Sequence, residues 1–132
     1  MLPRLLLDTH VIVRWLMESK RLSREQARVL EAATRRGETL AISAVTLIEI
    51  AMLTSEGRLR IAPDVIFEKL RESIVFRILP ITFEIASEVA SLGRALGDPA
   101  DRAIVATARV HRLRLVTSDQ RIIESNLVPV ID

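Results

Sequence analysis

Cysteine is absent from the 132 residues, so neither a disulfide framework nor a thiolate metal site is available, and a reducing, cytoplasmic setting is expected. Lysine is almost absent as well: of nineteen basic residues only Lys20 and Lys69 are lysine, and the others are arginine. No apolar run approaches the roughly 20 residues that a membrane span needs, and a strand-like segment begins so early that no signal peptide is expected before it. The glycines and lysine of a phosphate loop are missing. The two histidines, His10 and His111, have no partner at ligand or acid–base spacing, and both are assigned to incidental positions.

What is present begins with an abrupt boundary. Leu5-Leu6-Leu7 is cut off by Asp8-Thr9 and followed at once by Val11-Ile12-Val13. Such a run reads as a strand buried on both faces that delivers a carboxylate to its C-terminal end. The formal charge is only +2, but guanidinium forks match phosphate, so arginine richness points to a polyanion partner. Genome base composition or a heat-adapted habit would produce the same bias, and the sequence leaves the three open.

In chain order, the apolar positions 11, 12, 15 and 16 predict a short amphipathic helix over Val11 to Glu18. Trp15 on it is either core or an anchor for a partner helix. Ser23 and Gln26 have the spacing of a capping box and open a helix with an arginine-rich outer face, Arg24, Arg28, Arg35 and Arg36, stopped by Gly37. Leu40-Ala41-Ile42 is a short strand. Ser43 caps a helix to about Ser55 that is apolar nearly all round, with Ser43, Thr46 and Glu49 as one polar stripe. A helix from Val65 to Ser73 and a strand from Phe76 to Ile81 come next. Thr82 then caps a long helix through Leu96, ended by Gly97. Asp98-Pro99 start a helix to about His111, Leu113 to Thr117 is a strand, Asp119 opens a last short helix, and Val128 to Ile131 is a final strand. The alternation predicts one α/β domain over residues 1–132, a three-layer α/β/α arrangement with a parallel sheet of four or five strands.

In a parallel sheet the ligand crevice lies outside the carboxyl ends of the strands. Asp8, Glu49, Asp101 and Asp119 all arrive there. Gathered carboxylates repel unless a cation sits between them, and hard divalent cations prefer carboxylate oxygens, so a Mg²⁺ or Mn²⁺ site is expected. Each acid has a plainer reading. Asp119 and Asp101 suit helix starts, and Asp8 suits a strand-end turn. Glu49 has the weakest such alternative, because a charge within an apolar helix is costly without a partner. Asp98 is assigned chiefly to capping, with a supporting position beside the acids as its second duty.

The segments LLLDTH (Leu5 to His10), SAVTLIE (Ser43 to Glu49), DPADRAIVA (Asp98 to Ala106) and VTSD (Val116 to Asp119) resemble, in order, the signature blocks of PIN-domain ribonucleases, most of all the VapC-type toxin branch. The Glu56-Gly57-Arg58-Leu59 turn is similar to that branch as well. The resemblance implies a PIN-like fold, the nuclease toxin of a VapBC-like toxin–antitoxin pair, and Mg²⁺- or Mn²⁺-dependent cleavage of RNA. It matches Asp8, Glu49, Asp101 and Asp119 to the family's metal-binding quartet, and Thr9, Thr46 and Thr117 to its supporting hydroxyls. It also implies a VapB-type antitoxin over the active-site face and a homodimer. Gly97 departs from the pattern, since many relatives carry histidine before the Asp-Pro pair.

The expected chemistry is hydrolysis in which one or two cations polarise a phosphodiester, activate a water and stabilise the leaving 3′ oxygen. Arg14, Arg102 and Arg121, each near an acid in sequence, are candidates for holding the RNA backbone. A receiver domain would need a second acid near the first strand and a late lysine, and a haloacid-dehalogenase-like phosphatase would need aspartate where His10 stands. An RNA-processing PIN-like nuclease outside a toxin–antitoxin system, or a PIN-like interaction module, are the remaining alternatives. The intact quartet argues against the module.

Overall fold

The computed structural model describes residues 2–132. Five strands, β1 (Leu5–Leu7), β2 (Leu40–Ser43), β3 (Phe76–Leu79), β4 (Arg114–Val116) and β5 (Val130–Ile131), form one sheet in the order β3-β2-β1-β4-β5, and every pairing is parallel. Seven helices connect them: α1 (Thr9–Met17), α2 (Arg24–Arg35), α3 (Ala44–Ser55), α4 (Pro63–Glu72), α5 (Phe83–Ser91), α6 (Pro99–His111) and α7 (Gln120–Ser125). The expected sheet of four or five strands therefore has five.

Alternation along the strands divides the core in two, because successive side chains leave a strand on opposite faces. Leu6, Ala41 and Leu115 join Ile85, Leu92, Ile104, Val105 and Ile122 on one side. Leu5, Leu7, Leu40, Ile42 and Val116 join Val11, Ile12, Leu30, Ile50, Ile66 and Leu70 on the other. Helices thus cover both faces, which gives the three layers. Trp15 packs in the second cluster, edge-to-face on Phe76 with ring centroids 5.7 Å apart. The core reading of Trp15 holds.

The chain builds outward from β1 through β2 to β3, then returns to lay β4 on the free side of β1. The strand order therefore reverses between β1 and β4, which is where open α/β sheets form a crevice at their carboxyl ends. Registers of Leu5 with Arg114, Leu6 with Leu115 and Leu7 with Val116 set Asp8 beside Thr117.

Four expectations change. The first helix starts at Thr9 rather than Val11, because Asp8 caps it, accepting from the Thr9 amide. The third helix is not buried on all sides: Ile48 is 64 % and Met52 is 52 % exposed. The strand β3 stops at Leu79 rather than running to Ile81. The helix capped by Thr82 ends at Ser91 rather than Leu96, because Gly93, at φ +72°, takes the left-handed turn that Gly97 was expected to supply. Leaving the helix there lets both Leu92 and Leu96 reach the core.

Candidate active site

Three of the four acids are placed by helix starts. Asp8 caps α1, Asp119 caps α7 through the Arg121 amide, and Asp101 stands in the first turn of α6, whose cap is Asp98, accepting from the Ala100 and Asp101 amides. Glu49 comes from the second turn of α3. The capping readings hold, and they do not compete with the site readings, since a cap at a strand-to-helix junction in a parallel sheet already lies at the carboxyl edge.

Buried hydroxyls tie the acids together. Thr117, fully buried, donates to Asp8 Oδ2 at 2.7 Å and accepts from the Asp119 amide at 3.0 Å. Asp8 Oδ1 accepts from the Thr9 amide at 2.8 Å. The Thr9 hydroxyl donates to Glu49 and lies 3.0 Å from that of Thr46. The three threonines expected at supporting positions are thus all in contact with an acid or with one another.

The carboxylates share one electrostatic field. Burial first, and then the charges of Asp98, Asp8, Asp119 and Glu49, together push the Asp101 carboxyl up to about 7. Burial raises Glu49 as well, the Thr9 bond opposes the rise, and Asp8 and Asp98 add to it. One guanidinium reaches into this field: Arg121 Nη2 stands 3.4 Å from Asp119 Oδ2 and 3.7 Å from Asp101 Oδ2.

Among the described residues no three His, Cys, Asp or Glu side chains are closed into a cage that would hold an ion as they stand. Thr9, Thr117 and Arg121 instead meet carboxylate oxygens of Glu49, Asp8, Asp101 and Asp119. The donor set itself fits a hard divalent cation, being carboxylate oxygen throughout, partly buried and mutually repelling.

Two sequence assignments fare differently from Arg121. Arg102 is turned to the main chain: Nη1 donates to Gly93 O at 2.6 Å and Leu96 O at 2.7 Å, and Nη2 to Val89 O at 2.8 Å. It clamps the α5–α6 connection and is corrected from a backbone-binding candidate to a structural one. Arg14 lies close enough to His10 to act on its charge.

His10 is not incidental. Its Nε2 accepts from the Ser118 amide at 2.8 Å, and its Nδ1 is 3.6 Å from Asp8 Oδ2. An accepting Nε2 needs the neutral ring, and burial, partly opposed by Asp8, lowers the His10 pKa in the same sense. Gln26 was likewise read only as a cap partner. It completes the capping box and also donates to Ser118 Oγ at 2.9 Å, fastening α2 beside the site. Neither contact has a local signal, since Ser118 lies about ninety or more residues further along the chain.

Comparison with known proteins agrees with this geometry. The PIN domain model matches residues 5–125. Ribonuclease VapC22 of Mycobacterium tuberculosis (strain ATCC 25618 / H37Rv) is 38 % identical over 120 residues, covering 89 % of this chain and 88 % of the relative. Among solved structures, FitAcB from Neisseria gonorrhoeae superposes with a TM-score of 0.71 at 26 % identity, covering 97 % and 96 % of the two chains. VapBC2 from Rickettsia felis bound to a DNA fragment from its promoter superposes at 0.74, covering 98 % and 97 %, and at 15 % identity shows the shared fold alone. The chain belongs to the PIN-domain family and stands within it beside the VapC-type ribonucleases.

Proposed function

We propose that this PIN-domain nuclease is the toxin of a VapBC-like pair and hydrolyses RNA phosphodiesters with Mg²⁺ or Mn²⁺ held by Asp8, Glu49, Asp101 and Asp119. The observation that carries the metal requirement is the meeting of Asp8, Glu49, Asp101 and Asp119 at the starts and first two turns of helices along one sheet edge, with Asp8 and Asp101 buried; burial and the neighbouring acids push the Asp101 carboxyl up to about 7. Four carboxylates in one crevice without a cation are destabilising, and selection for such a cluster makes sense where a cation completes it.

The protein's own residues orient and desolvate. Thr117 fixes Asp8, Thr9 fixes Glu49, and the cap bonds of Asp119 and Asp98 lock the starts of α7 and α6. The cation supplies charge neutralisation at the phosphodiester and makes an attacking water more acidic. Arg121 is the arginine in place to take the phosphate as it gives up Asp101 and Asp119, and Arg14 stands on the same side. A VapB-type antitoxin partner is supported by the likeness to toxin–antitoxin complexes, and a homodimer by the family resemblance.

The test is cleavage of single-stranded RNA by the purified chain, freed of any antitoxin, with Mg²⁺ or Mn²⁺ and with EDTA. Metal-dependent cleavage that disappears in Asp101→Asn is the expected result. Cleavage unaffected by chelation overturns the mechanism.

A further inference from the structure

The amino edge of the sheet, opposite the acids, carries a cleft of about 290 Å³ lined by Arg4, Arg28, Arg36 and Arg114 around the buried Glu38. Arg4 directly precedes β1 and Arg114 opens β4. Their main chains are joined by the Arg114 amide donating to Arg4 O at 3.0 Å, so the two side chains start from adjacent strands at the centre of the sheet. Arg28 and Arg36 descend from α2 and its end. Each is held by a two-pronged carboxylate pair, Arg28 by Glu25 and Arg36 by Glu38, the latter at 3.2 and 3.3 Å. Arg4 and Arg114 form no ion pair among the described residues.

Charge is concentrated here. Four arginines against Glu25 and Glu38 leave +2, which equals the formal charge of the entire chain, so the rest of the molecule is neutral by count. A path connects the cleft to the acids. The start of α2 is fastened to Ser118, next to Asp119, and its far end delivers Arg36 to the cleft. Along the way Arg24, Arg28 and Arg35 are exposed, with Glu25 and Glu31 exposed among them. Twelve residues of helix span about 18 Å, the reach of several phosphates of an extended single strand.

We infer that this cleft is a second anchoring site for the RNA substrate, binding its phosphodiester backbone several nucleotides away from the scissile bond. The inference rests on the reading that RNA is the substrate. Guanidinium forks suit phosphate oxygens. A site that pairs two of its four forks internally and leaves Arg4 and Arg114 open favours a flexible polyanion, which gains from each phosphate it lays along the path, over a compact anion gripped at one point.

The experiment compares the unmodified chain with the double variant Arg4→Gln/Arg114→Gln, both exposed positions outside the catalytic machinery. Binding of a fluorescent single-stranded RNA of about twelve nucleotides is measured by anisotropy in EDTA across roughly 50 to 200 mM salt. The double variant is expected to bind about tenfold more weakly, with the slope of log K against log salt reduced by about 1.4, since each lost phosphate contact on a single strand accounts for about 0.7. An RNA of about four nucleotides, too short to reach, should bind both proteins equally. Arg4→Lys/Arg114→Lys should restore most of the salt slope. Equal affinities and slopes on the long RNA overturn the inference, as does an equal loss on both lengths. Displacement of the long RNA by inorganic phosphate beyond that caused by chloride of the same ionic strength makes this a phosphate pocket and also overturns it. Metal-dependent cleavage of the short RNA by the unmodified chain is scored separately: its absence defeats the nuclease reading, whereas its presence with no effect of the double variant defeats only the anchoring site.

Discussion

At the carboxyl edge of the sheet five acids, Asp8, Glu49, Asp98, Asp101 and Asp119, have Arg121 as the arginine in ion-pair reach, while at the amino edge four arginines surround the buried Glu38 and one of them, Arg28, also pairs with the exposed Glu25. The same strands, β1 and β4, supply both edges. The acidic edge is frustrated: burial and the neighbouring charges push the Asp101 and Glu49 carboxyls up. The basic edge is half satisfied, because two of its four forks are already paired. Removing a negative charge should therefore stabilise the molecule at one edge and destabilise it at the other.

The largest effect belongs to Asp101→Asn. On the proposed metal site, loss of this carboxylate should lower RNA cleavage by at least about 100-fold, given that supporting groups alone are worth about 10–100-fold. In EDTA the same variant should melt higher than the unmodified protein, since a repelled charge is gone. Mn²⁺ should stabilise the unmodified protein by mass action and the variant much less. A lower melting temperature in EDTA with an unchanged Mn²⁺ response would make Asp101 a helix-start acid only.

A pH titration of stability in EDTA comes next. Asp101 binds its proton in the folded state up to about 7 and in the unfolded chain only up to its ordinary value of 3.8. Between these values the folded state carries the extra proton, so stability falls as pH rises from about 4 to about 7, by about 2 kcal/mol once the open side of the crevice is allowed for. Denaturant unfolding across that range should show the fall, and Asp101→Asn should flatten it.

At the amino edge, Glu38→Gln makes the same kind of change with the opposite sign. Glu38 is 4 % exposed and its partner Arg36 is at the surface. Loss of a buried two-pronged pair should cost about 1–3 kcal/mol, read as a lower denaturation midpoint, with metal-dependent cleavage of short RNA retained. A gain in stability would mean that the two edges do not differ in the way their charges suggest.

Asp98→Ala should have the smallest effect. Removing the cap costs about 1 kcal/mol, and relieving its repulsion of Asp101 and Glu49 returns part of that. Much of the cleavage should remain. A folded Asp98→Ala protein without activity would transfer Asp98 from the helix cap to the metal-holding set.

Local signals made much of this readable before any coordinates. The Leu5–Leu7 strand ending at Asp8, the Ser23–Gln26 box and the Asp98-Pro99 start are written in adjacent residues, and each appears where its chemistry requires. Asp8, Asp101 and Asp119 were legible because they coincide with helix starts, and Glu49 because it is a charge within an apolar helix. Tertiary choices were not. Gly93 and Gly97 offer equal local grounds for ending a helix, and the selection was made by Leu96 seeking the core and by carbonyls at 93 and 96 meeting Arg102. Arg102 next to Asp101 in sequence looks like an RNA contact until the α5–α6 link folds over it. His10 and Ser118 become partners only when β4 is laid beside β1.

That last pairing also orders events during synthesis. The hydrogen bond from Thr117 to Asp8 spans 109 residues, and β1 has no neighbour on its β4 side until most of the polypeptide has been made. A growing chain that has completed β1, β2 and β3 already holds Asp8 and Glu49, but lacks the strand that positions Thr117 and Asp119. Long-range parallel pairing of this kind is slow to form. Partial chains released early would thus be incapable of cutting RNA, and a toxin becomes harmful to the cell that makes it only after its final quarter has been translated and has closed onto its beginning.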